Sequence, residues 1–167
     1  QEYIALIEQE FALRNIEDEP SYYLGTSLKR IEDGRVMMNA ENYIKESIRK
    51  YESKYDHTLK KQNIPMETKA HPELDDSELL GIDEHREFQH IIGLGQWIVL
   101  TGRIDICYAI SSLARFASSP RREHLVMARH ILGYLKKYPK KGIVMYPRAP
   151  AINIEAIKDK KVEEFGN

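Results

Sequence analysis

Gln89, Gly93 and Trp97 stand at i, i+4 and i+8 in the stretch from Asp83 to Ala117, DEHREFQHIIGLGQWIVLTGRIDICYAISSLARFA. On a helix each four-residue step turns about 40° past a full circle, so the three form one stripe roughly 80° wide. The stripe sets a hydrogen-bonding amide, a residue without a side chain and a flat aromatic in line. Glycine inside a helix costs about 1 kcal/mol relative to alanine. Two of them in one helix, Gly93 and Gly95, point to something large that comes close to the backbone. The competing account is packing: both glycines admit a neighbouring helix, and Trp97 belongs to the core, as aromatics at helical spacing commonly do. Spacing alone favours the packing account.

Bond-making chemistry has far less behind it. Asp75-Asp76 is the sole Asp-Asp pair, and it lies in a proline-containing loop that suits a catalytic metal poorly. His85 and His90 are five apart, off the i, i+4 spacing of a helical zinc pair, and no H-E-x-x-H occurs. His124 and His130 fall in a basic helix, where they either meet phosphate or face solvent. No glycine-rich phosphate loop and no Ser-His-Asp set emerges. The single cysteine, Cys107, excludes an internal disulfide framework and a Cys-rich zinc site. Lying among Ile106, Tyr108 and Ile110, it is expected to be a buried, inert thiol in a reducing, intracellular compartment. No catalytic residue, metal ligand or cofactor is therefore assigned to this chain.

Composition sets wide bounds. The 167 residues suffice for one domain with a real core, or for two small lobes, and the 42% hydrophobic and 31% charged fractions are ordinary for a globular protein. No apolar run is long enough to span a membrane, and the N-terminus lacks a signal-peptide pattern. The chain begins without Met in what reads as mid-helix, so it is expected to be a piece of something longer. A net charge of −1 argues against a strongly basic nucleic-acid binder. The charges are nevertheless segregated. From Arg121 to Gly142 there are seven Lys/Arg against Glu123 alone, whereas acids dominate from Glu73 to Glu87. Such a basic face either binds phosphate or is a solvated helix flank.

The elements that position these residues read as α+β, mostly helical. Residues 3–13 form a short amphipathic helix. Tyr22 to Ile31 reads as a strand, Asp33-Gly34 as a hairpin turn and Arg35 to Met38 as the returning strand. Asn39 is a candidate N-cap for a helix that faces Tyr43, Ile44, Ile48, Tyr51 and Tyr55 inward. Periodicity fails from Asp56 to Ile82, a long loop. The stripe helix follows, burying Phe88, Ile91, Ile92, Gly95, Ile98 and Val99, and it breaks at Thr101-Gly102. Asp105 is placed to cap a helix from Ile106 whose inner face is Ile106, Ala109, Ile110, Leu113, Ala114 and Ala117. Ser119-Pro120 marks a further start, and the helix from about 121 to 138 buries Leu125, Ala128, Ile131, Leu132 and Leu135. A short strand, Ile143 to Tyr146, closes the patterned part.

F-Q-H-I-I-G-L-G-Q-W followed by G-R-I-D-I-x-Y-A resembles the thumb of a reverse transcriptase from a copia-type LTR retrotransposon. Copia elements more widely carry I-G-S-L-x-Y and then T-R-P-D-I; Gln96-Trp97 and the run Gly102 to Ile106 depart from that wording. The helix–Pro–Y-L-G–hairpin order, the Ile64-Pro65-Met66 and His71-Pro72-Glu73-Leu74-Asp75 loop segments, and Pro120, His124, Ala128, Ile131, Leu132, Tyr134, Leu135 and Lys136 extend the likeness over about residues 3–147. The resemblance implies a C-terminal piece of palm at 1–38 and a thumb-like helical region at 39–119 with its loop at 56–82. The start of the connection would follow at 120–147, then a tail at 148–167 leading towards an RNase H domain. It places Gln89, Gly93 and Trp97 in the minor groove of the template–primer, Arg103, Arg121 and Arg122 near phosphates, and Tyr23, Leu24 and Gly25 in a primer-grip-like hairpin that holds the primer's 3′ end. The implied partners are an RNA–DNA hybrid or DNA duplex and the remainder of a Pol polyprotein, with no membrane. The implied location is cytoplasmic, in the element's virus-like particle, with the nucleus as the alternative. The family's chemistry is nucleotidyl transfer by two metal ions on palm aspartates. Those aspartates are not matched here, so Mg2+ is implied for a palm site outside this chain, and the chain alone is expected to be inactive. Two other classes remain: a decayed or co-opted structural and protein-interaction domain, and a self-sufficient hydrolase or metalloenzyme, which has no constellation behind it. The hairpin and first helix, which in the family pack on further strands, are expected to expose some apolar surface.

Overall fold

The computed structural model describes Ile7 and residues 21–31 and 34–146. The helix expected at 3–13 (apart from Ile7, which is helical and exposed) and the tail at 148–167 lie outside the described residues. Among the described residues the apolar periodicities produce helices α1 (Glu41–Tyr55), α2 (Ile82–Leu100), α3 (Cys107–Ala114) and α4 (Arg122–Lys137). Strands β1 (Tyr22–Tyr23), β2 (Thr26–Arg30), β3 (Val36–Asn39) and β4 (Gly142–Met145) form one antiparallel sheet in that order. The fold is α+β and mostly helical, with the final short strand in place.

The run from Tyr22 to Ile31 is not the single strand its composition suggests. Leu24 and Gly25 both take positive φ, 46° and 85°, and the chain folds back there so that Tyr23 pairs with Thr26. Positive φ at both central residues is the hand of a two-residue turn that matches strand twist. Glycine adopts it freely, and Leu24 is carried along at the tip. The second hairpin turns near Gly34 as expected, with Arg30 opposite Val36. β4 then adds to the other edge of β3, Val36 opposite Met145, so the two ends of the described chain share one sheet.

The helices bury the expected faces. Ile44, Ile48 and Tyr51 of α1, Phe88, Ile91 and Ile98 of α2, Ala109, Ile110 and Leu113 of α3, and Leu125, Ala128, Ile131, Leu132 and Leu135 of α4 meet in one core. Three start signals shift. Asn39 does cap α1 through its Oδ1, which accepts the Glu41 N–H at 3.1 Å, but from one residue ahead of the N-cap position. Pro120 precedes rather than follows the N-cap of α4; that cap is Arg121, whose N–H donates to His124 Nδ1 at 3.0 Å. Asp105 caps nothing: it sits in a 3-10 turn, Ile104–Ile106, and its carboxylate accepts from Arg103. Cys107 begins α3 on its exposed side, a correction to the buried thiol expected from its apolar neighbours; Ile106 takes the buried place.

The non-periodic stretch 56–82 is a strap laid antiparallel along α4. Gln62 N–H donates to Gly133 O (3.2 Å), His130 Nε2 to Ile64 O (2.9 Å), His124 Nε2 to Pro72 O (2.8 Å) and Leu80 N–H to Pro120 O (3.0 Å). Lys136 donates both to Glu52 and to Leu59 O, and Arg121 donates to Ser77 O. A Cβ at position 133 would lie 2.2 Å from Lys60 O, so glycine there is what lets the strap seat on the helix.

Glu87 is 4% exposed, inside this helical core. Burial by itself would raise its carboxyl. The Arg129 guanidinium, donating through Nε and Nη2 at 2.8 Å each, and the Tyr51 hydroxyl at 2.5 Å more than offset that and hold it below the usual glutamate value of 4.5. Because the folded value is lowered, this stabilisation is present at neutral pH and is lost as pH falls through the acid range. Arg129→Met leaves Glu87 buried and unpaired and should cost about 3 kcal/mol at neutral pH. Urea denaturation as a function of pH checks this: the gap between wild type and variant should begin to narrow above pH 4.5, as the unpaired carboxyl of the variant takes up its proton, and close further as pH falls through the lowered value of the wild type.

Candidate nucleic-acid interface

The Gln89–Gly93–Trp97 stripe lies on the solvent side of α2. All three residues are exposed, Trp97 at 37%, while Phe88, Ile91, Ile92, Leu94, Gly95 and Ile98 between them are buried. The two glycines part company. A Cβ on Gly95 would lie 2.2 Å from Ile110 Cδ1, so Gly95 serves the approach of α3 to α2, as the packing account holds. Among the described residues a Cβ on Gly93 would meet nothing within 4 Å, so their packing gives Gly93 no reason to lack a side chain.

Gln89 is held at one end. Its Nε2 lies 3.1 Å from Ala117 O, and His85 Nε2 lies 2.8 Å from the same carbonyl. The His85 and Gln89 nitrogens are 3.1 Å apart. His85 stands one turn before Gln89 on the same line, so extending the stripe by four residues would have found it in the sequence. The Ala117 carbonyl comes from the segment after α3, and no sequence signal announces it.

The candidate phosphate contacts fare differently from one another. Arg103 is 1% exposed; its Nε and Nη2 donate to the Asp105 carboxylate at 2.9 Å each, and its Nη1 donates to Tyr138 O at 3.0 Å. A cation belongs at that position, the C-terminal end of α4. Burial alone would raise the Asp105 carboxyl, but the Arg103 fork and the Tyr134 hydroxyl hold it below the usual range. Arg103 therefore has no face left for a phosphate and drops out of the set. Arg121 is half-buried against Ser77 O. Arg122 is 61% exposed and pairs with the still more exposed Glu78 at 3.1 Å. An exposed pair of this kind contributes little and exchanges readily. The rest of the basic run is largely engaged within the fold: Arg129 on Glu87, Lys136 on Glu52, Lys137 on Asn63 and Lys141 on the Tyr134 hydroxyl. His124 is buried and stacks on Phe116 at 4.2 Å, and His130 is tied to the strap, so both serve the fold.

The turn residues Tyr23, Leu24 and Gly25 lie on the sheet, with Tyr22, Tyr23 and Leu24 exposed. Among the described residues no group of three or more His, Cys, Asp or Glu is placed to hold a metal ion. Asp75 is turned inward, its Oδ1 accepting from Ser77 N–H at 2.8 Å, so Asp75-Asp76 does not fit a catalytic metal pair. No helix among the described residues is long and apolar enough to cross a membrane.

The two glycines give a direct test in stability. Gly93→Ala should raise stability by up to about 1 kcal/mol, because helix propensity improves and nothing clashes. Gly95→Ala must displace Ile110 and should lower it by about 1–3 kcal/mol. Paired thermal melts of the two variants check both signs.

The chain is 28% identical over 153 residues to the retrovirus-related Pol polyprotein from transposon RE1 of Arabidopsis thaliana, a match that covers 92% of this chain. It is 29% identical over 113 residues, 68% of this chain, to a protein named for transposon Ty5-1 of Saccharomyces cerevisiae. It spans 10% of the length of the first relative and 35% of the second. No protein-family model matches the chain, and no solved structure matches it. The similarity to these transposon proteins supports a retrotransposon polyprotein origin for the chain.

Proposed function

We propose that the chain is the end of the palm, the thumb and the start of the connection of a copia-type reverse transcriptase, and that it holds the template–primer rather than carrying out catalysis. The observation that carries this is Gly93. It sits inside a helix at an energetic cost, faces open space among the described residues, and stands between an exposed amide and an exposed indole. A bare stretch of backbone flanked in this way lets the ridge of a duplex come in close while Gln89 and Trp97 contact the groove on either side. Contact of this kind reads shape rather than sequence, which suits an enzyme that must copy any template. The partner is an RNA–DNA hybrid or DNA duplex, with the remainder of the Pol polyprotein around it and the element's cytoplasmic virus-like particle as the setting. Arg122, and Arg121 behind it, supply phosphate contacts, and the Tyr23–Leu24–Gly25 turn holds the primer end. Metal-assisted nucleotidyl transfer is assigned to palm carboxylates outside this chain, since the residues here do not fit a metal pair.

A second reading, a decayed or co-opted protein-interaction domain, is favoured by Leu100, Ile104 and Tyr108, which are 76%, 69% and 78% exposed. Titration of a fluorescent RNA–DNA hybrid separates the two. Under the first reading Gly93→Leu and Trp97→Ala each weaken binding about tenfold, or about 1.4 kcal/mol, with melting temperatures held. Affinity should fall with salt, but on a shallow slope, because most of the basic run is engaged internally. Absence of binding, or affinity indifferent to both variants, would put the interaction domain first.

A further inference from the structure

The cations from Arg121 to Lys141 are largely spent inside the fold, but the polar groups at the start of the strap are not. α1 ends at Asp56, which takes the left-handed conformation, φ 45° and ψ 43°, and turns the chain back across α4. Aspartate is one of the few side chains that visit that region. The residues that follow are pinned through their backbone. Leu59 is 3% exposed and its N–H donates to Glu52 Oε1 at 2.7 Å. Lys60 O packs against Gly133, and Gln62 N–H donates to Gly133 O at 3.2 Å. The side chains on this fixed frame are left over. Those of His57, Thr58, Lys60 and Gln62 carry no hydrogen bond or ion pair among the described residues. All four line one cleft of about 240 Å³, which Arg129 and His130 of α4 close from the other side.

An unpaired lysine on a surface is ordinary; what sets this one apart is its surroundings. No carboxylate lines the cleft. Glu52 and Glu87, the acids on its inner side, are taken up by Lys136 at 2.7 Å and Arg129 at 2.8 Å. Glu67, 4.0 Å from His130, lines the adjoining hollow instead. Arg129 and Glu87 cancel, so with neutral histidines Lys60 leaves the cleft one positive charge in excess. An ammonium, an imidazole, a hydroxyl and an amide can all donate, and together they suit an anion with several acceptor oxygens. The volume is below the about 300–1,000 Å³ that encloses a drug-sized molecule, so the group that enters is small. We infer that the cleft where α1, the strap and α4 meet seats a phosphate group, held by Lys60 with His57, Thr58 and Gln62 as hydrogen-bond donors. Gln89, Gly93 and Trp97 do not line it, and it stands without the duplex reading. A nucleic-acid backbone and a free polyphosphate present the same group, and the experiment separates the two.

Two measurements on the whole chain test this. In the first, inorganic pyrophosphate is titrated at constant ionic strength while the histidine ring protons are followed by NMR. The His57 signal should move and saturate, whereas those of His71 and His90, both exposed and outside the cleft, should stay in place. Lys60→Ala should weaken this binding about fivefold, the order of one net hydrogen bond. Lys69→Ala, at an exposed strap lysine outside the cleft, should leave it unchanged. In the second, affinity for an RNA–DNA hybrid is measured against salt. Where the backbone occupies the cleft, Lys60→Ala lowers the slope by about 0.9, one phosphate contact, and Lys69→Ala does not. A lowered slope supports the inference with the backbone as ligand. Saturable pyrophosphate binding with an unchanged slope supports it with a free phosphate compound as ligand. Histidine signals that move together, or equal losses from Lys60→Ala and Lys69→Ala, mean general charge attraction and overturn it. So does the absence of any effect of Lys60→Ala in both measurements. If the hybrid does not bind at all, the duplex reading fails and the pyrophosphate titration alone decides the cleft.

Discussion

A carboxylate buried among the helices is the constraint on which the rest of this structure depends. Glu87 lies one turn before Ile91 on the inner face of α2, where an apolar residue would be ordinary, and a lone charge there is untenable. Arg129 from α4 and Tyr51 from α1 meet it from two sides. The three residues therefore fix three helices relative to one another by direction as well as by contact. Hydrophobic packing alone tolerates small slides and rotations; a two-pronged guanidinium on a carboxylate does not. The solvent face of α2 is consequently presented at a set angle, and that face carries the stripe.

The same logic accounts for the basic segment. Concentrated from Arg121 to Lys141, it has the composition of a phosphate-binding surface, yet its cations largely lie against groups of the protein itself. Several of those groups belong to the strap, a stretch with little apolar content of its own. It seats on α4 by donating to and accepting from the helix along its length, with Gly133 cleared for its backbone. Positive charge here works as an internal fastening. Arg103 is the extreme case, drawn fully inside to join the corner after α2 to the end of α4. What the molecule offers outward on α2 is accordingly a neutral surface of amide, backbone and indole, and a partner that fits it is selected by shape and hydrogen bonding more than by charge.

Much of this was legible in the residues. Apolar spacing located all four described helices and nearly all of their inner faces, and the hairpin expected near Gly34 is formed, with Arg30 paired to Val36. The failures share a cause, which is that the deciding partner lies far off in sequence. Nothing near Arg103 says that its guanidinium will meet Tyr138 O, and nothing in 56–82 says that α4 will supply its hydrogen bonds. Leu24 at positive φ runs against its own preference and follows from Gly25 and from the pairing of Tyr23 with Thr26. Cys107 shows the limit of composition. Its neighbours are apolar, but the buried face runs through Ile106, Ala109, Ile110 and Leu113, as their spacing implies, and Cys107 falls beside it on the exposed side.

Gly93 and Gly95 differ in a way that sequence alone could not show. Both break the local rule that helix interiors avoid glycine. A rule broken with a compensating contact, as at Gly95 under Ile110, is explained by the fold and needs no further cause. At Gly93 the described residues supply no such contact, and what would account for the missing methyl group is the partner on that face, proposed above to be a duplex. The neighbours narrow what that is. A protein partner seated on a helix commonly inserts a side chain against a glycine and buries apolar residues around it, whereas the flanks of Gly93 are an exposed amide and an indole left partly wet. Those are the groups that line a shallow groove with polar edges, and they lie along the helix at the spacing of a single continuous contact.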